Sequence, residues 1–230
     1  MREIVLDTET TGFDPLTGDR LVEIGCIELM NHIPTGKNFH RYLNPEREMP
    51  EAAFRIHGLS TEFLADKPKF PEVAEDFLVF LDAAPLVIHN AEFDMKFINF
   101  ELEKAGRRAL PMQRAVDTVT MARRKFPGAP ASLDALCKRF NIDNSNRTLH
   151  GALLDAQLLA DVYLELLGGR QTGLTLGAEE TASGDMDFAR RAGPKGDRPA
   201  RPPRPHAPTA EELAAHAAFV AKLKDPLWLQ

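Results

Sequence analysis

Cysteine, tryptophan and tyrosine are scarce in this chain: two, one and two among 230 residues. Cys26 and Cys137 are too few and too scattered for a disulfide framework or a zinc motif, so both are expected to be buried free thiols. No run of about 18 apolar residues occurs, which excludes a hydrophobic spanning helix. The first ten residues read as a strand carrying acids rather than as a signal peptide, and the expected location is the cytoplasm. Positive charge is short as well. Lysine and arginine total 28 against 34 acids, a net charge of −6, which argues against coating long nucleic acid by bulk attraction. What the chain does have is 43% hydrophobic residues, enough for the core of one domain of ordinary size plus extra segments.

Its acids are placed rather than spread. In Ile4-Val5-Leu6-Asp7-Thr8-Glu9-Thr10-Thr11-Gly12 an apolar, β-branched run gives way to acids and then to a glycine turn, the pattern of a buried strand ending at a site. Side chains alternate along a strand, so Asp7 and Glu9 reach toward one point while Thr8 faces elsewhere. Asp94 lies in His89-Asn90-Ala91-Glu92-Phe93-Asp94, and His150 is followed five residues later by Asp155. Four carboxylates balance two divalent ions, and Mg²⁺ or Mn²⁺ takes hard oxygen ligands of this kind. Two such ions hold an attacking and a leaving oxygen in line across a phosphorus. His150, with an ordinary pKa of roughly 6.5, suits the base that takes the proton of water.

Each group also has an ordinary explanation. An Asp-x-Glu after a strand is commonly a surface pair, His150 suits a helix start beside Gly151, and Asp94 suits a helix N-terminal dipole. Asp155 is the hardest to dismiss, because its neighbours Leu153, Leu154, Ala156, Leu158 and Leu159 are apolar and a buried acid there needs a partner. No ordinary explanation covers all five residues together. His89 and Asn90 are expected to end a strand and cap the next helix rather than to act chemically. Arg123-Arg124-Lys125 is expected to be a solvated helix end, with a phosphate-backbone contact as the alternative.

The segments Asp7-Thr8-Glu9-Thr10-Thr11-Gly12, His89 to Asp94 and His150-Gly151-Ala152-Leu153-Leu154-Asp155-Ala156 together resemble the three motifs of the DEDDh family of 3′–5′ exonucleases. Within that family, the chain resembles the proofreading subunits of bacterial DNA polymerase III over roughly its first 167 residues. The resemblance implies that Asp7, Glu9, Asp94 and Asp155 are ligands of two Mg²⁺ or Mn²⁺ ions and that His150 is the general base. It implies a 3′–5′ exodeoxyribonuclease that removes mispaired 3′ nucleotides from single-stranded or frayed DNA as 5′-monophosphates. Ile56-His57-Gly58-Leu59-Ser60 also resembles a family segment near the substrate cleft, with no catalytic role assigned. An RNA-trimming enzyme of the same family and a noncatalytic polymerase–clamp adaptor are the alternatives. A net negative charge fits an enzyme that grips only a few nucleotides with metals and local donors.

Apolar patterning predicts strands near residues 2–7, 21–29, 37–43, 85–89 and 115–117. Helices are expected over 71–81, 93–105, 118–125, 132–140 and 151–167. Hairpin-compatible strands followed by alternating strands and helices make an α/β mixed sheet with helices on both faces, in agreement with the ribonuclease H-like fold that the resemblance implies. Composition changes at Gly168-Gly169: residues 168–208 hold seven Gly and six Pro in 41 positions, the range of a flexible linker. The expected domains are therefore 1–167, a linker over 168–208, and a helical tail over 209–230. Inside the linker, Gln171, Leu174 and Leu176 are spaced like the clamp-binding peptides of bacterial replication proteins. In the tail, Thr209-Ala210-Glu211-Glu212 is a capping box, and Leu213, Ala217, Val220 and Leu223 recur at helical spacing until Asp225-Pro226. A lone helix of about 15 residues is marginal, so its apolar face and Trp228 call for a partner. The resemblance implies that this partner is the polymerase III alpha subunit, with the sliding clamp bound through the linker peptide.

Overall fold

A computed structural model of the chain describes residues 1–147, 149–169 and 208–222. The chain divides into two units, Met1–Leu176 and Gly177–Gln230. In the first, strands β1 (Arg2–Thr10), β2 (Leu21–Met30), β3 (Ile33–Tyr42), β4 (Leu86–Ile88) and β5 (Ala115–Asp117) form one sheet in the order β3-β2-β1-β4-β5. The first three pair antiparallel, and β1, β4 and β5 run parallel. The helices are α1 (Glu51–His57), α2 (Thr61–Leu64), α3 (Phe70–Leu81), α4 (Ala91–Lys104), α5 (Thr118–Lys125), α6 (Leu133–Phe140) and α7 (Ala152–Leu166). The mixed sheet flanked by helices is the ribonuclease H-like arrangement expected from the sequence.

Strand alternation explains the two cores. Ile4, Leu6, Leu86 and Ile88 pack against α3 and α4 with Phe70, Phe77 and Phe97. Val5 and Val87, one residue out of phase, face Leu136, Ala156, Leu159 and Val162 of α6 and α7. Cys26 and Cys137 are buried free thiols, as expected.

Two expectations about element limits change. β1 continues to Thr10, so Asp7 and Glu9 lie within the strand and not just past it; pairing of Asp7 with Gly25 and Glu9 with Glu23 carries the ladder through the acids. Two short helices, α1 and α2, were not anticipated. The first follows Pro50 and stops at Gly58, whose φ of 73° is a left-handed cap that glycine adopts without a Cβ penalty.

The second unit contributes one described helix, α8 (Ala210–Val220), with Thr209 Oγ1 accepting from the Glu212 backbone N–H and the Glu212 carboxylate accepting from the Thr209 N–H. The capping box is thus formed. On this helix Leu213 is exposed and Val220 is buried. Gln171, Leu174, Leu176, Leu223 and Trp228 lie outside the described residues. Among the described residues, no helix is long and apolar enough to cross a membrane.

Candidate active site

The site is built where β1 meets the first turns of two helices. Asp7 and Glu9 share the strand face of Val5, the face covered by α7. Asp155 stands in the first turn of α7 and is 3% exposed. That helix approaches the sheet unusually closely because Gly25, the cross-strand partner of Asp7, has no side chain: a Cβ there would lie 2.3 Å from the backbone of Ala152. The glycine in β2 therefore sets how near Asp155 comes to Asp7.

Asp94 reaches the cluster from the opposite face, in the first turn of α4. Thr8, expected to face away from the acids, does point to that other face, and there its Oγ1 donates to Asp94 Oδ1 at 2.7 Å. It positions the third carboxylate instead of standing idle. Asn90 occupies the cap position of α4 but makes no side-chain cap bond; its backbone is left-handed, with φ 68°. Asp117, the cap of α5, ties the two helix starts together by accepting from the backbone N–H groups of Asn90 and Val119, each at 3.0 Å. His89 Nδ1 lies 2.9 Å from Thr118 Oγ1, linking the end of β4 to α5, and burial lowers the pKa of its ring.

Four acids converge on one end of the sheet, and their electrostatics show it. Burial, followed by Asp94, Glu9 and Asp155, pushes the Asp7 carboxyl well above its ordinary value. Burial, then Asp155, Glu23 and Asp94, pushes Glu9 up to about 8. Burial pushes Asp94 up to about 7 despite the opposing Thr8 bond. Carboxylates that resist ionisation in one another's presence are short of positive charge, and hard oxygen donors so arranged suit a hard divalent cation.

Two residues complete the centre. His150 is half-exposed just before α7; its backbone N–H donates to Ile56 O at 3.0 Å, so the Ile56-His57-Gly58 segment holds the histidine loop. Ligand atoms of Glu9, His150 and Asp155 all lie within 4.8 Å of one another. Arg147, which sequence reasoning did not single out, places Nε 2.6 Å from Asp155 Oδ1 and Nη2 2.7 Å from Asp155 Oδ2.

Asp7, Glu9, Asp94, Asp155, His150 and Arg147 all line one cavity of about 750 Å³. A second, more apolar cavity of about 520 Å³ adjoins it, sharing Thr8, Glu9 and Phe93 and adding Phe13, Ile56 and His57. Of the basic run 123–125, Arg123 lines the first cavity, whereas Lys125 Nζ donates to the carbonyls of Glu165 and Leu166 at 3.0 and 2.9 Å and fastens the end of α7. The run is split between a cavity wall and a structural cap.

The family model described as Exonuclease matches residues 4–163. The DNA polymerase III subunit epsilon of Rickettsia felis is 49% identical over 226 residues, 97% of each chain. The chain belongs to this exonuclease family, which includes the DNA polymerase III epsilon subunits. The epsilon subunit of Escherichia coli K12 is 45% identical over 228 residues, covering 94% of this chain and 91% of its own. Among solved structures, exonuclease X in complex with 5′ overhanging duplex DNA aligns with a TM-score of 0.56 and 24% identity, over 71% of this chain and 90% of that one. The nuclease domain of 3′hExo, a DEDDh family member bound to rAMP, aligns with a TM-score of 0.62 and 17% identity, over 72% and 91%. At these identities the two structures attest the fold.

Proposed function

We propose that the protein is a 3′–5′ exodeoxyribonuclease that removes mispaired 3′-terminal nucleotides during DNA replication, acting as the epsilon subunit of a DNA polymerase III in the cytoplasm. The carboxylate cluster is the observation that carries this reading: four acids from β1, α4 and α7, with Asp7, Glu9 and Asp94 raised in pKa, beside a histidine and in a cavity with room for a nucleotide.

The family implies divalent metal ions, and the donors fit them. Asp7, Glu9, Asp94 and Asp155 would hold two Mg²⁺ or Mn²⁺ ions. When bound, such ions supply Lewis-acid stabilisation of the attacking and leaving oxygens of an in-line phosphoryl displacement. The protein's own residues do the rest. His150, half-exposed at the open edge of the cavity, takes the proton of the attacking water. The adjoining apolar cavity takes the unstacked terminal nucleotide, with Phe13 and Phe93 offering ring faces to a base. Selection for a mismatch then needs no base reading, because an unpaired end reaches the site at lower cost than a paired one.

The tail gives the enzyme its address. Residues 1–167 form the catalytic domain, 168–208 a linker, and 209–230 the polymerase-binding segment. Leu213, Val220, Leu223 and Trp228 bind the alpha subunit, and Gln171, Leu174 and Leu176 bind the sliding clamp. A tether of this kind keeps the nuclease at high local concentration near the primer end. Truncation before Thr209 is expected to abolish polymerase pull-down while hydrolysis of short single strands continues; tight binding by the truncated protein would refute the tether. The function itself is tested by incubating 5′-labelled single-stranded DNA and RNA with Mg²⁺: the expected result is a ladder shortening from the 3′ end of the DNA, and a strong preference for RNA would assign the protein to RNA trimming instead.

A further inference from the structure

Arg147 makes contacts that oppose the role assigned to Asp155. Its guanidinium is forked onto both carboxylate oxygens of Asp155, at 2.6 and 2.7 Å. The side chain is 8% exposed, so the pair is largely shielded from water. A hard cation also needs at least one of those oxygens, at a distance of roughly 2.0–2.1 Å for Mg²⁺. Two cations cannot share them without strong repulsion. Full engagement of Asp155 by Arg147 therefore opposes ligation of a divalent ion by the same carboxylate.

The guanidinium has somewhere else to go. Its Nη1 lies 2.9 Å from Oδ1 of Asp134, on the exposed side of α6 and 60% exposed. The same Nη2 that engages Asp155 Oδ2 also lies 3.0 Å from His150 Nδ1. A guanidinium only donates, so Nδ1 accepts, and a neutral ring then carries its proton on Nε2. In this arrangement neither ring nitrogen offers a free lone pair. Arg147 therefore occupies a metal ligand and the base at once.

We propose that Arg147 is an exchangeable counter-cation: it holds Asp155 and His150 until a divalent ion takes Asp155, and then withdraws onto Asp134, freeing the base. Rather than helping to bind the ion, the arginine competes with it, and the competition couples metal binding to release of His150. This rests on the metal-site reading given above.

Calorimetric titration of the full chain with Mn²⁺ alone, without nucleic acid, tests it. Arg147→Gln is expected to bind Mn²⁺ roughly three- to tenfold more tightly, the scale of one partly shielded ion pair. Unchanged or weaker binding would overturn the proposal, the second by making Arg147 a support for the site. A double-mutant cycle guards against a variant that folds poorly. Asp134→Asn is expected to weaken Mn²⁺ binding two- to threefold in a protein with Arg147 and to leave it unchanged in Arg147→Gln; equal effects in both backgrounds would reduce Asp134 to a distant charge and sink the exchange. Asp155→Asn separates the layers. If it binds Mn²⁺ like the wild type, the metal-site reading fails; if it loses an ion while Arg147→Gln gains nothing, only the exchange fails. A second readout is ring-nitrogen NMR of His150, where Mg²⁺ is expected to shift Nδ1 in the wild type. The absence of that shift would contradict the coupling.

Discussion

Two buried acids in this molecule are held by nearly the same clamp and serve opposite ends. Glu101, 1% exposed, is gripped by Arg20 through Nε at 2.5 Å and Nη2 at 2.8 Å, and Asp155, 3% exposed, by Arg147 through Nε at 2.6 Å and Nη2 at 2.7 Å. Around the first pair the second carboxylate in reach of Arg20 is the partly exposed Glu46, at 3.9 Å. Around the second stand Asp7, Glu9 and Asp94, each with a raised pKa. The Arg20 pair is close to charge-balanced and joins the residue just before β2 to α4. The Arg147 pair sits in a cluster of four acids with one arginine among them, too little positive charge for all four to ionise. A buried salt bridge is thus structural or functional according to the charges beyond the pair, not its own geometry.

The largest expected effect falls on this contrast. Asp7→Ala or Asp155→Asn should remove nearly all hydrolysis with the fold intact, whereas Glu101→Gln should cost about 3–5 kcal/mol of stability by leaving Arg20 buried without its partner and leave the chemistry of the folded fraction in place. Single-turnover rates and denaturant melts of the three variants check this, and a folded Asp7→Ala protein with a large share of wild-type rate would break the contrast. Next in size, His150→Ala should lower the rate by about 10² or more, the usual scale for loss of a general base, while Mn²⁺ still binds; lost binding would make His150 a ligand, as its place within 4.8 Å of Glu9 and Asp155 permits.

Gly25→Ala should be milder in stability and sharp in rate. The added Cβ meets backbone 2.3 Å away, so α7 must shift, costing about 1–3 kcal/mol by overpacking. The same shift carries Asp155 away from Asp7, and roughly tenfold or more of activity goes with it. An unaffected rate would mean the close approach does not position Asp155.

The smallest effect is on stability against pH. Glu9 is pushed up to about 8 and Asp94 up to about 7, mainly by burial, while unfolded carboxyls titrate near 4. Between those limits the folded chain holds protons that the unfolded chain has released, so stability falls as pH rises from about 4 to 8. In chelator the melting temperature should fall as pH rises through that window, and divalent ions should remove the fall. A flat profile in chelator would show that burial does not hold Glu9 and Asp94 above their ordinary carboxyl range.

How much of this was legible in sequence follows from the range of each signal. Alternation within β1 places Asp7 and Glu9 on one face, and the apolar neighbours of Asp155 mark it as buried; both are local patterns. The capping box at Thr209 and Glu212 is equally local, and α8 forms there. Arg147 was not legible, because its contact with Asp155 depends on a loop docked through the backbone of Ile56, far away in sequence. Gly25 carries no signal in the sequence, because what its missing Cβ admits is the backbone of α7, far away along the chain. Thr8 was correctly placed on the opposite strand face, but α4 brings Asp94 to that face, which no pattern in β1 records.

The central claim is that the carboxylate cluster drives removal of nucleotides from a 3′ end. The most direct measurement follows a 5′-labelled primer with a mismatched 3′ terminus, annealed to template, in Mg²⁺ and again in chelator. The account predicts stepwise shortening from the 3′ end with release of 5′-monophosphates, faster than on the matched primer, and none in chelator or with Asp7→Ala. Internal cuts, or equal shortening in chelator, would contradict it.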